Sequence, residues 1–100
     1  MEGTAMSELT LVFWRDIPAQ VMMGKGRQAV RVILAERFEQ AIDRAAMKAG
    51  LSGTDDYLSE WRRQTVPGDD PAAEAARIDA EYDPARLKAL IANDGWNPAP

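Results

Sequence analysis

The first hydrophobic stretch, Leu9-Thr10-Leu11-Val12-Phe13-Trp14-Arg15, is β-branched and aromatic, too short for a helix and bounded by polar residues. It predicts a strand with Leu9, Leu11 and Phe13 on one face and Thr10, Val12 and Trp14 on the other. Both faces are fairly apolar, which predicts a central strand covered at least partly on each side. Asp16-Ile17-Pro18 breaks it, because proline forces the preceding residue into an extended conformation. A short apolar run from Ala19 to Met23 follows and ends at Gly24-Lys25-Gly26, so the two runs read as a hairpin with a proline-containing turn.

From Arg27 to Ala49, Val30, Ile33, Leu34, Phe38, Ala41, Ile42 and Ala45 fall at helical spacing, with charged residues mostly between them. The pattern predicts a long amphipathic helix laid across the sheet and closed by Gly50 as its C′ residue. Leu51 to Asp56 reads as a loop. Tyr57 to Val66 carries two signals. Thr54 before Asp55 and Asp56 has the form of a helix N-cap, yet the residues from Tyr57 to Thr65 alternate as a strand does. The expectation is a third strand over roughly Leu58 to Thr65, because a two-stranded hairpin under one helix is marginal. Asp70-Pro71 and Asp83-Pro84 each open a helix with proline at the first helical position. The first helix runs to about Tyr82 and the second from Ala85 to Asn93, stopped by Gly95. The expected fold class is α+β, a small antiparallel sheet covered by a long amphipathic helix, in the order ββαβαα. Residues 1–8 are expected to be a disordered N-terminus or a non-native remnant, 9–94 a single domain, and 95–100 a loose tail.

Composition changes this picture by subtraction. With no cysteine and no histidine among 100 residues, disulfides, thiolate chemistry and the commonest metal ligand are excluded. No apolar run is long enough to span a bilayer, and Met1 to Glu8 lacks the pattern of a secretory signal, so the expected location is cytoplasmic, with no membrane partner. Charge divides unevenly: seven Lys/Arg against six Asp/Glu through Gly50, then five against ten. Acidity of this kind argues against nucleic acid as a partner.

Three groups of residues carry distinctive chemistry. Gly24-Lys25-Gly26-Arg27, with Arg31 further on, stands where the hairpin ends and the predicted helix begins. Helix amides and a positive dipole end there favour an anion, and Lys25, Gly26, Arg27 and Arg31 would hold one. The plainer alternative is a tight turn with solvated basic side chains. Trp14, Arg15, Asp16, Ile17 and Pro18, with Trp61, Arg62 and Arg63 in the presumed partner strand, offer an aromatic and guanidinium surface of the sort that dominates interfaces. Here the alternative is that both tryptophans are core or semi-core residues and the arginines pair with Asp16 and Glu60. Glu36, Glu39 and Asp43 share one helical stripe, which reads as a solvated face, since no histidine or partner motif accompanies it. Ser52, Thr54, Ser59 and Tyr57 lack the base that would make any of them a nucleophile.

Phe13-Trp14-Arg15-Asp16-Ile17-Pro18-Ala19-Gln20-Val21, then Gly26-Arg27, then Glu36 through Ala46, then Asp56-Tyr57-Leu58 to Trp61-Arg62-Arg63, together resemble the short bacterial domain labelled "virulence factor". That domain also occurs in the conserved virulence factor C proteins, and the likeness runs roughly from Leu9 to Leu90. Larger members are similar here but join the segment to an Nfu-like domain and helical repeats, which implies a recruitment or scaffold module. The stand-alone form looks like one found among genes for folate- and corrinoid-dependent one-carbon metabolism, which implies an accessory subunit for such an enzyme. The resemblance supplies no catalytic residues. The sequence therefore predicts a non-catalytic interaction module, with no cofactor or metal, whose partner is another protein or a second copy of itself. The alternative is a module binding a phosphorylated or carboxylated small molecule at the basic helix start.

Overall fold

A computed structural model describes residues 8–24 and 29–97. The elements, in chain order, are β1 (Glu8–Trp14), β2 (Ile17–Met23), β3 (Val30–Ile33), α1 (Glu36–Lys48), α2 (Asp55–Ser59), β4 (Trp61–Pro67), α3 (Pro71–Glu81) and α4 (Pro84–Ala92). The strands form one antiparallel sheet in the order β3-β2-β1-β4. The class is α+β, and the expected order holds with one strand and one short helix added.

β1 is central, as its composition predicts, and its hairpin with β2 turns at Arg15 and Asp16, with Trp14 paired to Ile17. Arg15 takes φ 55°, the left-handed conformation that the first position of a tight two-residue hairpin loop requires. Pro18 lies inside β2 and not in the turn. The register passes from Val12↔Gln20 to Phe13↔Pro18, so Ala19 bulges out of the ladder. A residue without an N–H is tolerated beside such a bulge. The Leu34 N–H donates to the Ala19 carbonyl at 3.1 Å, which ties the bulge to the segment leading into α1.

Register sorts the sheet into two faces. Val66-Leu9-Met23-Val30 and Gln64-Leu11-Val21-Val32 form rows on one side. Leu9, Leu11 and Val21 are buried there in one cluster with Phe38, Ala41, Ile42 and Ala45 of α1, Ile78 of α3, and Leu87 and Leu90 of α4. On the other side, Arg63-Val12-Gln20-Ile33 and Thr65-Thr10-Met22-Arg31 form the rows, with both arginines, Thr65 and Ile33 exposed. α1, α3 and α4 pack on the first face. On the second Val12 and Trp14 are buried as well, Trp14 against Tyr57 of α2, so β1 is covered at least partly on each side as expected.

The long helix starts later than its periodicity implies. Val30-Arg31-Val32-Ile33 pairs with β2 as an edge strand, and α1 begins at Glu36 after Ala35 in extended conformation. Three β-branched residues in four favour the strand, although Val30, Ile33 and Leu34 also fit a helical repeat. At its end α1 behaves as predicted. The Gly50 N–H donates to Met47 and the Leu51 N–H to Ala46, the paired bonds of a Schellman cap, with Gly50 at φ 76°. Both signals in the next segment are realised in turn: Thr54 caps α2 by accepting from the Tyr57 N–H, and β4 follows from Trp61. α3 and α4 open on Asp70 and Asp83, each accepting an N–H from its first turn.

Candidate functional site

The Trp14–Pro18 corner is built inward. Trp14 and Ile17 are wholly buried and Pro18 is nearly so. The Trp14 indole N–H donates to the Tyr57 carbonyl at 2.9 Å. Arg15 pairs with Glu60 at 2.8 Å and donates to the Asp94 carbonyl, while its guanidinium stacks on Trp14 and Trp96. Arg62 bonds the Arg15 carbonyl and Asp16 and covers the Phe13 ring. Asp16 also accepts the Asn97 N–H at 2.7 Å. These groups hold the hairpin turn, the start of β4 and the segment after α4 together. Of the predicted surface, Trp61 and Arg63 are left facing outward, and among the described residues Arg63 makes no ion pair.

Of the basic side chains at the predicted junction, only Arg31 falls within the described residues. Lys25, Gly26 and Arg27 lie outside the described residues. Arg31 stands exposed on β3, five residues ahead of a helix whose first turn carries Glu36 and Glu39. A positive dipole end next to Arg31 is therefore not part of the fold, and the carboxylates in that first turn suit the dipole instead.

A groove of about 390 Å³ opens beside Trp61, within the range of small-ligand and side-chain pockets. It is lined by Ala19 at the bulge and Gln20 of β2, by Ile33 at the end of β3 and Leu34 just after it, by Glu39, Ile42 and Asp43 of α1, and by Tyr57 and Trp61. The two rings meet edge to face, 6.2 Å between centres at 89°. Tyr57 in turn tilts against buried Trp14, 5.6 Å away, so the aromatic end of the groove is anchored in the core. Ile33 is 73% exposed and Trp61 36%. Burial first, then the Asp43 and Glu39 charges, push the Tyr57 hydroxyl above the ordinary tyrosine pKa. Both carboxylates thus act on the same atom of the groove.

The sequence singled out Trp61 and gave Ile33 to a helix; Glu39 and Asp43, read as a solvated stripe, are exposed as expected and also line the groove. The strand character of Val30–Ile33 was the one signal that would have moved Ile33 to the sheet edge. A second depression, between α1 and α4, is lined by Arg37, Arg44 and Lys88 over Ala41, Leu87 and Ile91. Arg37 is already engaged there by Asp79 and by the Asp79 and Tyr82 carbonyls. Among the described residues no group of three or more Asp or Glu is placed to hold a metal ion. No helix among them is long and apolar enough to cross a membrane.

Fold and site together define a small α+β domain with α1, α3 and α4 packed on one sheet face and an acidic and aromatic groove at the strand ends, lined from β2, the end of β3, α1 and the start of β4. Residues 12–91 match the family model described as "Virulence factor", and the chain belongs to that family. Every residue lining the groove lies inside the matched segment, whereas Asp94 to Asn97, which dock on Arg15 and Asp16, lie beyond it. No curated protein and no solved structure matches the chain.

Proposed function

We propose that this virulence factor domain is a protein-interaction module whose partner seats in the groove between Ile33, α1 and Trp61. One observation carries the reading: two large apolar side chains, Ile33 and Trp61, stand exposed on a shared concavity while neighbours of the same type are in the core. Exposed apolar groups gathered in a groove mark binding surfaces more often than scattered ones do, and tryptophan is enriched at interface hot spots. The Tyr57 hydroxyl feels Asp43 and Glu39 through their charge but is hydrogen-bonded to neither, so the lining holds no nucleophile bonded to a base, which favours binding over catalysis. The likeness to a stand-alone form found among one-carbon genes supports an accessory role beside a folate- or corrinoid-dependent enzyme.

The test is recovery of the tagged chain at native expression level from its host. A stoichiometric partner should accompany the wild type and be lost with Ile33→Asp and with Trp61→Ala. Both positions are exposed, so these variants should stay folded, which a urea melt would check. A second copy as the partner would show as a dimer in sedimentation of the purified chain. A lone monomer, or a partner retained by both variants, would remove the reading.

A further inference from the structure

The groove has a sign as well as a shape. Glu39 and Asp43 stand one helical turn apart on α1 and the lining itself contains no lysine or arginine, although Arg62 and Arg63 line the adjoining depression that shares Gln20 and Trp61. Both carboxylates are exposed, and among the described residues neither has a hydrogen-bond or ion-pair partner, a state they share with Glu36, Asp55, Asp56 and Asp69. What sets these two apart is that they line the groove. The aromatic end adds to this. Perpendicular rings such as Tyr57 and Trp61 present a negative ring face to an approaching cation, and tryptophan attracts one most strongly. Ile33, Leu34 and Ile42 line the same space and suit an aliphatic stem. Stem and charged head together describe one kind of group.

We infer that the groove receives a basic side chain, a lysine or arginine, presented by the partner protein. This rests on the reading of the groove as the partner's seat. The shape favours a side chain over a free amine, because the mouth at Ile33 is open to solvent. A small amine in an open groove has few contacts to offset its lost freedom, whereas a partner's side chain arrives with the rest of its surface. The carboxylates then supply orientation and long-range attraction, and Ile33 with Trp61 supplies the contact area.

The experiment titrates the isotope-labelled full chain with a short blocked alanine peptide carrying one central lysine, followed by nuclear magnetic resonance. The peptide should give saturable shifts at the Trp61 indole N–H, assigned with Trp61→Phe, and at the Glu39 and Asp43 amides. Its norleucine counterpart should give none. Glu39→Gln with Asp43→Asn should weaken binding about tenfold, a loss on the scale of two partly exposed charge contacts. Added salt should weaken it as well. No saturable shift with the lysine peptide or its arginine version would overturn the inference. So would equal affinity for n-butylamine, which would make this a site for small amines. Either failure is separable from failure of the interaction reading: a partner lost with Ile33→Asp but kept by the doubly neutralised variant leaves that reading standing without this one.

Discussion

The guanidinium of Arg15 lies 5.0 Å from the ring centre of Trp96 and 5.1 Å from that of Trp14, between a core tryptophan and an outer one. Its Nη2 meets Glu60 at 2.8 Å and its Nη1 donates to the Asp94 carbonyl at 2.8 Å. The Arg15 side chain is only 11% exposed, so its removal leaves Glu60 and a carbonyl without their partner. Arg15→Ala should cost about 2–3 kcal/mol, discounted from the fully buried case because Glu60 is partly solvated. Arg15→Gly loses the same contacts but relaxes the positive φ, and should be about 1 kcal/mol more stable than the alanine variant. Urea unfolding of the pair separates side-chain loss from backbone strain. Equal stabilities would mean the turn carries no strain.

Gly95 and Trp14 are matched in space. A Cβ at Gly95 would meet Trp14 Cζ3 at 2.9 Å, and Gly95 holds φ 95°. Trp14 is wholly buried and cannot retreat without disturbing its bond to the Tyr57 carbonyl. Gly95→Ala should therefore destabilise by about 2–3 kcal/mol, combining overpacking with backbone strain. Trp14→Phe should cost a similar amount, about 2 kcal/mol, through a lost hydrogen bond and a partial cavity. Thermal melts read both.

Why the fold was largely legible and the site only partly so follows from where each signal sits. Asp70-Pro71, Asp83-Pro84 and Gly50 act through their own backbone and neighbours within a turn, so the chain alone announces them. β3 exists because Gln20 to Met23 offer it a ladder, and its spacing of Val30, Ile33 and Leu34 is shared with a helix. The pairing decides the matter, and pairing is not local. Trp14 and Trp61 are opposite each other in register, yet one is in the core and the other faces a groove. That difference is made by Tyr57 and Gly95, each distant in sequence from Trp14. The acidic stripe was visible as a stripe. What it faces depends on the end of β3 coming alongside α1.

The caps of the last two helices allow a more local test. Asp70 accepts the Ala73 N–H at 3.0 Å and Asp83 the Arg86 N–H at 2.9 Å. Each aspartate also places a negative charge at a helix start. Asp70→Ala and Asp83→Ala should each cost about 1 kcal/mol, and Asn at either position should recover most of that. Chemical denaturation of the single variants reads this directly. A loss well below the cap value at Asp83 would show that Pro84 alone suffices to start α4.

The charge of the groove can be read through Tyr57 without any ligand. Its pKa is raised by burial first, and then by Asp43 and Glu39. Below the ordinary tyrosine value of about 10, the hydroxyl is protonated in both folded and unfolded chains and its contribution to stability is complete. Above that value the unfolded chain releases its proton while the folded chain still holds it, so stability falls as pH rises. The fall ends once folded Tyr57 ionises as well. Phenolate absorbance should show a component titrating above the ordinary tyrosine value, and Tyr57→Phe should remove that component together with its share of the alkaline loss. Asp43→Asn and Glu39→Gln should each bring the titration down, Asp43→Asn by more. Even together they should not restore the ordinary value, because burial is the larger cause and remains. A Tyr57 titration unmoved by either substitution would place the carboxylates away from the hydroxyl, and with it the negative character of the groove would be lost.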